Sequence, residues 1–252
     1  DKVPVYATIW SKDFKDDETL SSRCEEILNQ GYGGIKIYPL QKRTIDQAAI
    51  CVSKIRQTLG FNIPLMLDLA CPNDPNVSLK LAPLVKEFKP YWFEEPVDGE
   101  ATRTLIEIKN QTGLRIVTGE KQCGINHFIE TLAADAVDIF NPDISSVGGI
   151  IDMIKIIELS HKKNVKVSPH CWNSMSIAAS AMIHLCMSFP NSEMAEFFPE
   201  YIPYTLKFCN KNFEINNGFI ELDNREGLGV KIDTNLLMEN TSSYKFSILD
   251  KN

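Results

Sequence analysis

Three short apolar runs in this chain each end in an acid, and the acids stand 26 residues apart: Pro64-Leu65-Met66-Leu67-Asp68, Tyr91-Trp92-Phe93-Glu94-Glu95-Pro96 and Arg115-Ile116-Val117-Thr118-Gly119-Glu120. The middle run is aromatic and is stopped by a proline, as a strand is when it gives way to a loop. That spacing is the length of one strand plus one helix, the repeat of a βα unit. When parallel strands close into a barrel, their C-terminal ends converge on one face, so three such acids come together there. Hard oxygen donors in that number suit Mg²⁺ or Mn²⁺. Each acid alone could equally be a helix cap or a solvated loop residue; equal spacing of all three favours a shared site.

The same alternation runs through most of the chain. Apolar, β-rich stretches over 3–9, 33–38, 64–70, 91–95, 115–120, 137–143, 165–170 and 193–198 read as strands. Between them, segments over 16–29, 44–59, 77–88, 102–112, 125–134, 148–161 and 174–187 carry helical periodicity; the sixth places Ile150, Met153, Ile154, Ile157 and Leu159 on its apolar positions. Eight strands separated by seven helices predict an α/β fold, a TIM-type (β/α)₇β barrel over 1–198. A doubly wound sheet is the alternative, weakened by the absence of a glycine-rich dinucleotide or P-loop turn after the first strand. The segment 199–252 is less periodic and is expected to pack on the barrel or on a capping domain; Asn216-Asn217-Gly218 reads as a turn, Phe219 to Leu222 as a short strand, Gly227 to Val230 as a tight crossing over the barrel wall.

Composition narrows the function. A 252-residue chain with 44% hydrophobic residues can bury one large core. Its net charge of −7 and the lack of a basic block argue against a nucleic-acid partner. Apolar runs are strand-sized and no signal-peptide pattern opens the sequence, so neither a membrane span nor a membrane partner is expected. The seven cysteines form no CxxC pair and no zinc spacing with the four histidines, as in a cytoplasmic protein with reduced thiols. No GxSxG elbow supports a hydrolase.

Other strand ends carry groups suited to moving protons. Lys36 and Tyr38 share one strand face by the period-two rule; Asp143, His170 and Glu196 end the sixth, seventh and eighth strands. A carboxylate beside an imidazole fixes its tautomer and raises its basicity, so Asp143 and His170 form a candidate acid/base pair. The plainer alternative is a core histidine and a helix cap. A divalent cation facing proton-transfer groups suits abstraction of a proton α to a carboxylate, where the enediolate needs the metal and a nearby cation such as Lys36.

Taken in order, Lys36-x-Tyr38, Met66-Leu67-Asp68, Trp92-Phe93-Glu94-Glu95-Pro96, Gly119-Glu120, Pro142-Asp143 and Pro169-His170 resemble the enolase superfamily, mandelate racemase subgroup, from Val3 to about Asp233. The resemblance implies Mg²⁺ on Asp68, Glu94 and Glu120, with Glu95 behind the ligands. It implies an Asp143–His170 dyad on one face of the substrate, Lys36 on the other side, and Glu196 hydrogen-bonded to the enediolate.

Several departures refine this. The subgroup's racemases carry a second lysine where this chain has Tyr38, and a phenol with a reference pKa of about 10 is a poor base at neutral pH. A one-base elimination is therefore expected, similar to the sugar-acid dehydratases that give 2-keto-3-deoxy acids; a racemase or epimerase, or a cycloisomerase, using the same enediolate is the alternative, and a metal-binding scaffold without turnover the non-enzymatic one. Ala70 stands where the family commonly has asparagine, and Ser146 where the muconate-lactonising branch has lysine. The chain begins at the first barrel strand, whereas the family precedes it with an N-terminal α+β capping domain. The partners expected are a small sugar acid or hydroxy acid and a second copy of the chain in a homo-oligomer.

Overall fold

The computed structural model describes residues 2–171 and 176–240. In chain order its main elements are β1 (Val3–Ile9), α1 (Asp17–Asn29), β2 (Ile35–Ile37), α2 (Ile45–Leu59), β3 (Leu65–Asp68), α3 (Pro75–Val85), β4 (Trp92–Glu94), α4 (Thr102–Thr112), β5 (Ile116–Thr118), α5 (Asn126–Ala133), β6 (Ile139–Phe140), α6 (Gly149–Lys162), β7 (Lys166–Val167), α7 (Ser176–Ser188) and β8 (Ala195–Phe197). The tail adds α8 (Ile202–Thr205), a hairpin of β9 (Phe213–Asn216) and β10 (Phe219–Leu222), and α9 (Thr234–Glu239).

Strands β1 to β7 pair in parallel, each with the next, and β8 pairs in parallel with β1. The ring closes between β7 and the segment entering β8, where Val167 N–H donates to Asn191 O and Glu193 N–H to Val167 O. The result is the expected (β/α)₇β barrel. The hairpin β9–β10 extends the N-terminal part of β1 in antiparallel fashion, pairing Val3 with Ile220.

Strand alternation divides the interior into two chemistries. Val5, Ala7 and Ile9 of β1, Ile35 and Ile37 of β2, Leu65 and Leu67 of β3, Phe93 of β4 and Ile116 of β5 belong to the large core between barrel wall and helices. The in-between positions face the barrel axis, where Tyr6, Met66, Trp92, Val117, Ile139 and Met194 form a separate small core. That plug closes the barrel below the polar strand ends, so the mouth is the open end. Beneath it Glu193 accepts from Tyr91 Oη at 2.5 Å and from Arg115 at 3.0 Å, tying β8 to β4 and β5.

Helix limits follow local chemistry. Asp16 caps α1 through Thr19 N–H, and Thr44 with Gln47 forms a reciprocal capping box on α2. The helix read over 77–88 is α3 followed by a single tighter turn, because Val85 departs from regular helical dihedrals. In α6 the buried face is Met153, Ile156, Ile157 and Ser160, while Ile150 and Ile151 are exposed, so Ile150 does not lie on the buried face as expected. The start read at 174 for the seventh helix lies outside the described residues, as do 241–252.

One buried cation holds the outer layer together. Arg56, 2% exposed on α2, donates to four backbone carbonyls, of Gly60, Ile63, Phe88 and Lys89, at 2.7 to 3.1 Å. The planar fork of a guanidinium reaches all four; an ammonium has neither the donors nor the span. Arg56→Lys is expected to lower the stability by about 2 kcal/mol, read as a lower urea midpoint at unchanged m-value, since part-buried carbonyls lose charge-assisted partners. An unchanged midpoint would show that these carbonyls do not depend on the fork.

Candidate active site

The polar strand ends meet at the barrel mouth. Lys36 reaches the centre from β2, fully buried, with its ammonium 2.5 Å from Glu94 Oε1, 2.7 Å from Glu196 Oε1 and 3.6 Å from Asp68 Oδ2. Burial alone would strip its proton; Glu196 and Glu94 outweigh that and keep it firmly charged. Glu196 is held by Lys36, Thr8 Oγ1 and the Cys171 N–H, and Lys36 with His170 and Thr8 keeps it below the usual carboxylate range despite burial. Glu94 also accepts from Trp92 Nε1 at 2.8 Å and Asn141 Nδ2 at 3.1 Å.

Asp68, Glu94 and Glu120 each offer a carboxylate oxygen within 4.8 Å of the other two. Burial pushes Asp68 up to about 7, Glu94 to about 8 and Glu120 to about 7, with neighbouring acids adding to each and Lys36 only partly compensating the first two. Such a trio is an oxygen-donor cage short of positive charge, and its donor set fits a hard divalent cation. Asp68 is further fixed by the Ala70 N–H at 2.8 Å. Ala70 and Cys71 both have left-handed backbone, φ 53° and 56°, a conformation that asparagine tolerates better than alanine.

Glu95, the other acid of the aromatic run, turns away from this trio. Its own φ is 44°, and its carboxylate accepts from Thr118 Oγ1 at 2.7 Å, Gly119 N–H at 3.1 Å and Cys71 Sγ at 2.7 Å. It thus ties together the chain leaving β3, β4 and β5. Gly119, with φ 137°, lets the backbone turn toward Glu120 where a Cβ would press on Phe128 at 3.1 Å.

Across the mouth, Asp143 and His170 pair both by backbone and by side chain, with His170 Nδ1 2.8 Å from Asp143 Oδ2. Nε2 of the same ring lies 3.5 Å from Glu120 Oε2. Burial works against the imidazolium, yet Asp143, Glu196 and Glu120 together push His170 up to about 9. Asp143 sits below the usual range, because the His170 bond and the Ser145 N–H outweigh its burial. Ser146 Oγ donates to the carbonyls of Glu120 and Asp143. Tyr38 lies beside Lys36 in phase, stacked on Trp10 with ring centroids 4.6 Å apart; burial and then Asp68 push its phenol well above the ordinary value, so it stays protonated.

All eight residues singled out in the sequence therefore line one mouth. Sequence reading missed the donors Thr8, Trp92, Asn141 and the Cys171 N–H. Thr8 could have been found, since it lies on the inward phase of β1 directly opposite Lys36; the backbone donor of Cys171 carries no side-chain signal.

Two outcomes test this geometry. Glu94→Gln is expected to abolish Mg²⁺ binding in calorimetry and Glu95→Gln only to weaken it; the reverse order would overturn the assignment of the two acids. Glu120→Gln relieves repulsion in the metal-free cage, so it should raise the melting temperature of metal-free protein by a few degrees, about 1 kcal/mol, while losing the further rise that Mg²⁺ gives the unaltered chain.

Comparison with known proteins places this arrangement. The chain is 31% identical over 209 residues to D-galactonate dehydratase from Ralstonia pickettii, covering 78% of this chain and 53% of that protein. It superposes with a TM-score of 0.90 and 46% identity on an enolase from environmental shotgun sequencing of the Sargasso Sea, covering 94% of this chain and 63% of that one. With the 3,6-anhydro-D-galactonate cycloisomerase from Zobellia galactanivorans the TM-score is 0.86 at 27% identity, covering 94% and 66%. The chain thus spans between about half and two-thirds of these relatives. Residues 19–236 match the Enolase C-terminal domain-like profile, which takes in the barrel from α1 onward and every acid of the cage. With a closed (β/α)₇β barrel whose third, fourth and fifth strands end in clustered carboxylates, this chain belongs to the Enolase C-terminal domain-like family.

Proposed function

We propose that the chain carries the active site of a Mg²⁺-dependent acid-sugar dehydratase, which removes the proton α to a sugar-acid carboxylate and expels the neighbouring hydroxyl as water to give a 2-keto-3-deoxy acid. The observation that carries this reading is the pairing of one imidazole base, His170 on Asp143, across the mouth from Lys36 and a protonated Tyr38. A racemase needs a second base facing the first; a phenol held protonated is a donor. Relatives named as dehydratases of gluconate and galactonate support the same reading.

Asp68, Glu94 and Glu120 would hold the cation, whose charge would offset the negative charge building on the substrate carboxylate. Lys36 places an ammonium at the same carboxylate, in a buried setting where the interaction is strong, and the ionised Glu196, 2.7 Å from that ammonium, holds it in place. His170, oriented by Asp143 through Nδ1, would take the α-proton at Nε2 in its neutral form, which the charge of a cation offsetting Glu120 would favour, breaking the C–H bond. The electron pair moves into the carboxylate as an enediolate. As it returns, the C–O bond to the β-hydroxyl breaks, and the proton on His170 leaves with that oxygen as water. Tyr38 donates a hydrogen bond to the substrate's hydroxyl side. The enol so formed ketonises without further help.

Incubation of the full chain with Mg²⁺ and a panel of aldonates is expected to release a 2-keto-3-deoxy acid from at least one of them, and His170→Asn to cut that rate by about a thousandfold or more. In D₂O, exchange and inversion at the α-carbon without loss of water would instead establish the racemase or epimerase. Mg²⁺ binding with neither outcome would leave a metal-binding scaffold.

A further inference from the structure

Glu94 is held by two groups that each reach across a strand. Lys36 on β2 and Asn141 at the end of β6 stand two strands from β4, one on either side, and both donate to the same oxygen, Oε1, at 2.5 and 3.1 Å. Asn141 can cross because the inward position it passes on β5 is Gly119. Val117 and Ile139 face the barrel axis, and Gly119 and Asn141 follow them in the same phase. A Cβ on Gly119 would already lie 3.5 Å from Asn141 Oδ1, so a longer side chain there would fill the path of the amide. The Asn141 N–H is fixed on Thr118 O at 3.2 Å.

Packing does not explain this amide. Asn141 is 2% exposed, and its Oδ1 is buried with no hydrogen-bond partner among the described residues. Such an orphan is unfavourable, and leucine, of nearly the same shape, would avoid it. Turning the amide over does not help, since Oδ1 would then face Glu94 oxygen against oxygen. What the amide supplies is its proton on Oε1. A carboxylate offers about four lone-pair sites, shared equally by its oxygens. Among the described residues Oε1 accepts from two donors and Oε2 from Trp92 Nε1 alone, at 2.8 Å. The site left over is on Oε2.

We infer that Asn141 is a positioning residue that sets the cation preference of the cage: by occupying the second site on Oε1, it restricts Glu94 to a single donor oxygen. Mg²⁺ demands near-ideal octahedral geometry, which the narrow bite of a two-oxygen carboxylate distorts. Ca²⁺ is larger, takes more ligands in a flexible arrangement and readily binds both oxygens of one carboxylate. The inference rests on reading Asp68, Glu94 and Glu120 as the holders of the cation, and adds to that reading the residue that selects the ion.

The test measures binding rather than turnover. Calorimetry with Mg²⁺ alone and with Ca²⁺ alone on the metal-free full chain gives the ratio of the two affinities for the unaltered protein, Asn141→Leu, Asn141→Ala and the control Asn191→Leu. Asn191 is another buried asparagine whose Oδ1 has no partner among the described residues, and its amide donates to the carbonyls of Ile157 and Val165, where β7 and β8 begin at the far end from the mouth. The unaltered chain is expected to bind Mg²⁺ the tighter, and Asn191→Leu to keep the same ratio at a lower melting temperature. Both Asn141 variants are expected to bind Mg²⁺ about tenfold more weakly and Ca²⁺ no more weakly, so the ratio falls about tenfold. Asn141→Ala adds no bulk and keeps the comparison open if leucine is not accommodated. Equal weakening of both cations in the Asn141 variants, an equal shift of the ratio in Asn191→Leu, or tighter binding of Ca²⁺ by the unaltered chain would overturn the inference and leave the cage standing. An unaltered chain that binds neither cation would overturn both.

Discussion

Everything at the barrel mouth depends on the buried ammonium of Lys36. Five acids, Asp68, Glu94, Glu120, Asp143 and Glu196, converge there against one lysine and one histidine. Removing that many carboxylates from water is unfavourable unless positive charge comes with them. Lys36 serves Glu94 and Glu196 directly, and Glu196 stays ionised where Asp68, Glu94 and Glu120 are pushed toward neutrality. The charge still missing is concentrated at those three acids, which is where a divalent cation fits. A site poised in this way opposes stability and is carried by the scaffold around it.

That scaffold supplies two kinds of support. Below, the apolar plug of Tyr6, Met66, Trp92, Val117, Ile139 and Met194 excludes water from the base of the site, and Trp92 also donates to Glu94. Around the rim, Glu95 binds three successive strand ends, so the positions of Asp68, Glu94 and Glu120 are set together rather than one by one. Adjacent acids in the sequence therefore have opposite tasks: one faces the axis, and the next, with its left-handed backbone, fastens the loops that aim it.

Much of this was legible from spacing. A helix-sized interval between acids gives three consecutive βα units, and inward phase pairs Lys36 with Tyr38, because strand side chains alternate with a period of two. Less of the periphery could be read. The apolar face of α6 was misjudged at Ile150, since a helix rich in isoleucine on several sides shows little contrast between faces. Strand β9 went unread although Phe213-Glu214-Ile215-Asn216 alternates and pairs with β10 across the turn at Asn217-Gly218, and the short helices α8 and α9 are too brief to show a helical period.

By itself the sequence determined the repeating βα order, the acids at three strand ends and the single lysine beside a tyrosine, since these are properties of local period and residue type. Only the tertiary structure decided which groups share a hydrogen bond. Thr8 and Glu196 are 188 positions apart yet touch, because β8 returns to β1 when the barrel closes. The stacking of Trp10 on Tyr38 and the bonds that Glu95, expected behind the ligands, makes to Cys71, Thr118 and Gly119 likewise follow from closure and strand register, which no interval along the chain encodes.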